Sequence, residues 1–230
     1  MLKTNCDIGE RGVAHPIDDQ LMQYIDIANI ACGGHAGDDK SIAYYQNLAI
    51  DNDIMVSAHL SYPDAANFGR IKMNISITNL INSLTEQYQR LPVGKIKFHG
   101  ALYHEANTNN ELAKALANWM QQQHINLVLT PADSLLANHA RQHKITVMAE
   151  AFIERGYQQL SDGKLSLIPR GQAGAELDTV TQALAQYQQI QNGAMIINSQ
   201  HYPIIAQSAC IHSDSAIALE LARAIHKLRY

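Results

Sequence analysis

Residues 96–130 read IKFHGALYHEANTNNELAKALANWMQQQHINLVLT, and this stretch decides the fold. A short apolar run at 96–99 is followed by a helical pattern at 110–122. That pattern puts Leu112, Ala115, Leu116 and Trp119 on one face, with Thr108 or Asn109 in position to cap it. A second apolar run follows at 126–130. A strand, a helix and a strand in this order predict two parallel strands joined by a covering helix. The unit recurs outward in both directions. Further strands are expected at 2–8, 25–31, 54–59, 145–151 and 209–212, and helices at 40–51, 78–90, 132–142, 176–190 and 215–229. The strands are short and apolar, as when both faces of a parallel sheet are buried. Seven such units fit a closed barrel or an open sheet, and periodicity does not decide between them. No stretch is rich enough in Pro and Ser to be a linker, so residues 1–230 are expected to form one domain.

Composition narrows the function. The chain has 230 residues, 47% hydrophobic and 17% charged, which excludes disordered and fibrous classes. A net charge of -4 and no cluster of Lys and Arg argue against a partner held by phosphate contacts, so no nucleic acid is expected. The apolar runs are too short to span a bilayer, so no membrane association is expected. The first residues carry no apolar h-region, which predicts no secretory signal. Cys6, Cys32 and Cys210 are odd in number and form no CxxC, so neither a disulfide framework nor a zinc ribbon is expected. A reducing cytoplasm is the simplest location. Neither GxGxxG after a strand nor GxxxxGK[ST] occurs, so no Rossmann or Walker nucleotide site is encoded.

The chemistry collects where strands end, which is where α/β barrels and sheets build their sites. Strand one runs into Asn5-Cys6-Asp7-Ile8-Gly9-Glu10, and strand two into Asn29, Cys32, His35 and Asp38. Strand three ends at His59, with Asp64 and Arg70 beyond it. Strand four carries Lys97 and His99, then Tyr103. Strand six ends at Glu150, then Glu154 and Arg155, and the last strand ends at His212-Ser213-Asp214. Any one of these is more often a cap or a surface charge. Six strands ending this way predict a functional pocket.

Lys97 and His99 alternate, so they share a face. A buried lysine there can act as an electrophile or as a base of lowered pKa. Asp7, His59 and His99 offer a possible N/O ligand set for zinc or a similar divalent ion. Asp38 and Ser215 also stand where helix N-caps are expected. His139 and His143 lie four apart on a helix, but no third ligand accompanies them and a solvated face is expected. His15, His104, His124, His201 and His226 fall in loops or on polar faces and are set aside.

Taken together, these motifs resemble the LamB/YcsF family. The resemblance rests on residues 5–10, Ala28 to Gly33 with His35-Ala36-Gly37-Asp38, Ala58-His59 with Ser61-Tyr62-Pro63-Asp64, and Phe68-Gly69-Arg70. It continues through Lys97 with His99-Gly100-Ala101-Leu102-Tyr103, Glu150 with Phe152, Arg155-Gly156-Tyr157, Pro169-Arg170, and Cys210 with His212 and Asp214. The family fold implies a seven-stranded β/α barrel of the glycoside hydrolase/deacetylase type. The family activity implies ATP-dependent opening of 5-oxo-L-proline to L-glutamate, performed with partner subunits B and C that share the handling of ATP. The resemblance implies catalytic roles for Asp7, His59, Lys97, His99 and Glu150. It implies substrate binding by Asn5, Asn29, His35, Asp38, Asp64, Arg70, Tyr103, Arg155, Arg170, His212 and Asp214. The alternative implied by the barrel type is a metal-dependent carbohydrate deacetylase or related hydrolase. The chain departs from the family pattern at Leu60, Ile71, Phe98 and Ser213, while the charged residues of each motif are kept.

Overall fold

The computed structural model describes residues 1–160 and 163–229. In chain order the strands are β1 (Lys3–Ile8), β2 (Ile27–Ala31), β3 (Met55–Leu60), β4 (Lys95–Phe98), β5 (Leu127–Thr130), β6 (Thr146–Phe152), β7 (Tyr157–Gln159), β8 (Leu165–Leu167), β9 (Ala194–Ile197), β10 (Gln200–Pro203) and β11 (Ser208–Ile211). The helices are α1 (Pro16–Leu21), α2 (Asp39–Asp51), α3 (Ile77–Gln89), α4 (Gly100–Thr108), α5 (Asn110–Gln122), α6 (Leu135–Gln142), α7 (Val180–Gln191) and α8 (Ala218–Arg229).

Seven strands close into a parallel barrel in the order β1-β11-β6-β5-β4-β3-β2. The barrel therefore holds over the open sheet, and every strand expected from the sequence takes part. The outward-facing strand residues, such as Ile8, Ile30, Leu60 and Phe98, are buried under the helices in one continuous apolar cluster. Leu60 and Phe98 thus fill core space. Trp119 of α5 sits on this layer near Phe98 and hydrogen-bonds Thr85 of α3 through its indole N–H.

Two helices and two hairpins differ from the sequence expectation. Helices α1 and α4 precede or abut stronger patterns, and two antiparallel hairpins, β7–β8 and β9–β10, stand outside the barrel. The β7–β8 hairpin and the loop after it overhang the carboxyl ends of the strands and wall the cavity there.

Inside the barrel a polar belt crosses four neighbouring strands. Asn5 donates to Ser208 at 2.6 Å, Asn29 donates to Asn5 at 2.8 Å, and Ser57 donates to Asn29 at 2.5 Å. At the amino end of the barrel, Asp26 accepts from the Thr4 backbone N–H at 2.6 Å, the Thr4 hydroxyl at 3.0 Å and Arg229 at 2.7 Å. That group ties α8 across the base.

Candidate active site

Above the polar belt, alternation turns Asp7, His59 and Lys97 inward from β1, β3 and β4. Lys97 is 2% exposed, and its ammonium lies 2.9 Å from Asp7, 3.1 Å from Glu150 and 3.0 Å from the Cys210 sulfur. Burial would lower the Lys97 pKa. Asp7, Cys210 and Glu150 outweigh it and hold the amine well above its ordinary range. The carboxylates on two sides favour the cationic form, against the reading of Lys97 as a base of lowered pKa. Burial would likewise raise Asp7, but His59 and Lys97 beside it hold its carboxyl well below the usual range.

His59 and His99 meet at 3.0 Å, from Nε2 to Nδ1. His59 Nε2 also lies 3.3 Å from Asp7. His35 stacks on His99 with ring centroids 3.7 Å apart and contacts Glu10 at 2.8 Å. Glu10 is pushed up to about 7 by burial and by the neighbouring Asp7 carboxylate. The backbone makes room for this layer. Phe68 and Gly69 are both left-handed, and a Cβ at Gly69 would lie 3.0 Å from His35 and 3.2 Å from His99. A Cβ on left-handed Gly100 would sit 2.5 Å from the Gly69 carbonyl, so α4 starts in contact with that loop.

A cavity of about 390 Å³ opens above these groups. Asp7, His59, Lys97, His99 and Tyr103 line its depth, and Arg70, His104, Arg155, Arg170 and His212 line its rim. Arg70 pairs with Asp214, and Arg170 pairs with Glu176. Arg155 is fixed by the carbonyls of Ala175 at 2.9 Å and Ile168 at 2.8 Å. His212 is held by Glu154 at 2.6 Å and stacks on Phe152. A second cavity of about 400 Å³ lies alongside and shares Arg70, Arg155, Arg170 and His212.

Several expected site residues fall elsewhere. Glu150 sits behind Lys97 rather than on the cavity wall, and its carboxylate makes no hydrogen bond of good geometry. It is close enough to Tyr103 that burial and this carboxylate push the phenol well above its ordinary range. Asn5 and Asn29 belong to the belt beneath the ammonium, their amides already bonded. His35 lies behind His99, outside the cavity lining. Asp38 is exposed and caps α2 in a capping box with Ser41. Asp64 accepts from Asn67 and holds the turn at Ala65–Asn67. Asp214 borders the second cavity rather than the first.

The expected ligand trio of Asp7, His59 and His99 also regroups. The convergent set is Glu10, His35, His59 and His99, whose donor atoms all lie within 4.8 Å of one another. Asp7 groups instead with Cys210 and His212, and the first two of these bond the Lys97 ammonium. Glu10 is not among the expected site residues. It stands in the Asn5-to-Glu10 motif, but left-handed Gly9 breaks the alternation that would predict its direction. His104, set aside from sequence, reaches the rim because α4 begins directly after His99. His139 and His143 are half-buried and bonded to Asn110 and Gln121 of α5, so the face expected to be solvated is partly covered by that helix. No helix among the described residues is long and apolar enough to cross a membrane.

Known proteins resemble this chain in sequence and in fold. The chain is similar to proteins named as the A subunit of 5-oxoprolinase. The one from Haemophilus influenzae (strain PittEE) is 34% identical over 96% of this chain and 92% of its own length. The one from Acinetobacter baylyi is 37% identical over 96% of this chain and 91% of its own length. Among solved structures, a lactam utilization protein from Thermus thermophilus superposes with a TM-score of 0.83 at 26% identity, covering 98% of this chain and 94% of that one. A putative chitinase A from Streptomyces coelicolor shares the fold, with a TM-score of 0.57 at 11% identity over 98% and 97% of the two chains. The sequence pattern of the LamB/YcsF family matches residues 2–229, with the barrel and the charged mouth falling within that span, and the chain belongs to the LamB/YcsF family.

Proposed function

We propose that this chain is the ring-opening component of a cytoplasmic, ATP-dependent 5-oxoprolinase that hydrolyses 5-oxo-L-proline to L-glutamate together with B and C partner subunits. A five-membered lactam is an unstrained amide with a poorly electrophilic carbonyl, so coupling to ATP suits its chemistry. Transfer of the γ-phosphoryl group to the amide oxygen leaves an imidate-like carbon. Water adds to that carbon, and the C–N bond breaks to release the amine. A second water then removes phosphate from the resulting acyl phosphate.

The single observation that carries this reading is the buried Lys97 ammonium, locked between Asp7 and Glu150 at the floor of an arginine-rimmed cavity. A fixed cation in a site sheltered from water stabilises the negative charge that develops on the amide oxygen. Asp7 and Glu150 act as positioning groups that hold this charge. His59 and His99 present nitrogen donors on the adjoining wall. Arg70, Arg155 and Arg170 separate two cavities of similar size, which suits a substrate carboxylate on one side and a phosphoryl group on the other. Tyr103 and His212 complete the contacts to substrate. The chain carries no nucleotide loop, so ATP is handled at least partly by the partners. The carbohydrate deacetylase alternative rests on the barrel alone, which hosts many chemistries.

Reconstitution tests the reading. The chain with its B and C partners is assayed for oxoproline-dependent release of glutamate and phosphate. Release of both only by the full assembly is expected. Absence of glutamate in every combination would overturn the activity. Turnover by the isolated chain at the full rate would overturn the division of labour.

A further inference from the structure

We propose that Glu10, His35, His59 and His99 form a binding site for a divalent transition-metal ion, zinc or one of similar preference, in the wall of the active-site cavity. The first argument is spacing. Zinc takes nitrogen and oxygen ligands at about 2.0–2.1 Å, so tetrahedral donors lie roughly 3.3 Å apart. Here His35 Nε2 lies 2.8 Å from Glu10 Oε1, and His59 Nε2 lies 3.0 Å from His99 Nδ1. His99 Nδ1 is 3.4 Å and His59 Nε2 is 3.7 Å from the same Glu10 oxygen. These four pairs lie near the spacing an ion needs, and all four donor atoms lie within 4.8 Å of one another, although the His35 ring, stacked parallel on His99, must turn to bring its lone pair into line.

The second argument is tautomeric. His59 Nδ1 faces the Lys97 carbonyl at 3.2 Å, and His99 Nε2 faces the Phe68 carbonyl at 3.0 Å. A carbonyl only accepts, so each of these outer nitrogens carries a proton. In neutral rings the two nitrogens that face each other, His59 Nε2 and His99 Nδ1, are then both lone pairs, with the Asp7 carboxylate 3.3 Å from His59 Nε2. A cation between them, a metal ion or the proton of an imidazolium, removes their repulsion. Backbone carbonyls that fix the outer nitrogens of metal-bound histidines are the usual supporting arrangement for such sites. The backbone also commits to it. The Phe68 carbonyl is delivered by the left-handed Phe68-Gly69 pair, where a Cβ on Gly69 would crowd His35 and His99.

The nearby group of Asp7, Cys210 and His212 gives an internal contrast. Lys97 Nζ sits 2.9 Å from Asp7 and 3.0 Å from Cys210, so that cluster is already supplied with a cation. Among the described residues, the histidine cluster has no lysine or arginine in that position. The ligand geometry is the same whatever the substrate, so this site does not rest on the lactam reading.

Metal analysis of the full chain, purified without a polyhistidine tag, is the first test, with about one ion per chain expected. The chelated chain is then titrated with Co(II). Visible bands of tetrahedral cobalt should grow to one equivalent and be displaced by Zn(II). His35→Ala and His99→Ala should each weaken binding by at least about tenfold, since loss of even a supporting partner costs about 10–100-fold. His139→Ala should leave binding unchanged. If the variants do not fold, the wild-type cobalt spectrum alone decides. A featureless wild-type titration would overturn the proposal. So would a His59 imidazolium, seen by ¹⁵N NMR, that persists in excess zinc. Turnover is not read, so failure here leaves the lactam reading intact.

Discussion

The two ends of the barrel hold charge in opposite ways. At the base, every interaction of the Asp26 carboxylate is a made bond: it meets the Thr4 N–H, the Thr4 hydroxyl and Arg229. At the mouth, buried polar atoms of His35, Tyr103, Glu150, Glu154 and Ser213 lack a hydrogen bond. Satisfied charge closes a structure, whereas unsatisfied buried polarity costs stability that only a ligand or a function repays. The comparison teaches that the functional end is recognised less by how many charges it has than by how many remain incompletely answered.

Lys97→Met is the harshest way to sharpen this contrast. Turnover of the reconstituted assembly should fall by about 10²–10³-fold, the scale of losing one preorganised electrostatic contact. The sequence alone predicts that this variant keeps its fold. The structure adds a cost, because Asp7 and Glu150 lose their shared cation and removing one partner of a buried pair costs about 3–5 kcal/mol. Urea unfolding measures that loss. Unchanged turnover would move the active centre away from β4.

Lys97→Met combined with Glu150→Gln should recover part of the stability and none of the turnover. The coupling between the two sites should be about 1 kcal/mol or more in a double-mutant cycle. Simple additivity would mean that Glu150 does not hold the ammonium.

Asp26→Asn probes the other end. It should cost about 1 kcal/mol, discounted for partial exposure, and leave turnover unchanged. Burial would raise the Asp26 pKa, but bonds from Thr4 and Arg229 lower it overall. Its contribution is therefore present above the ordinary carboxylate value, about 3.9, and is lost as pH falls through the lower folded value. Tm measured against pH should show wild type and variant converging in acid. A gap that widens instead would reverse the assignment.

The smallest expected effect is at His139→Ala, within about 0.5 kcal/mol and silent in turnover. A loss of activity there would draw the contact between α6 and α5 into function.

Much of this was legible in the sequence because parallel strands buried on both faces write themselves as short apolar runs. All seven barrel strands follow from that signal, and alternation along β4, carried one residue past its end, gives Lys97 and His99 one direction. The β7–β8 hairpin was hidden because Tyr157–Gln159 and Leu165–Leu167 are three residues each, too short for a period to register. Helix α4 was masked by the stronger cap at Asn109, where α5 begins at once. Site membership was harder to read than strand position. Alternation gives the direction of Asn5 and Asn29 correctly, yet not their depth, and both end in the belt below the cavity. Glu10 and His35 lie past strand ends, where left-handed glycines rather than alternation set direction.

That belt has a consequence for how the barrel assembles. Asn5, Asn29, Ser57 and Ser208 lie on β1, β2, β3 and β11, and each bond joins neighbouring strands. Sliding any one strand by a single residue would turn its amide or hydroxyl outward into the apolar layer under the helices. An all-aliphatic interior would tolerate such a slip with little penalty, since one methyl group resembles another. The belt therefore works as a proofreading device for strand alignment during folding: misaligned barrels leave buried amides unanswered, and only the correct closure satisfies them all.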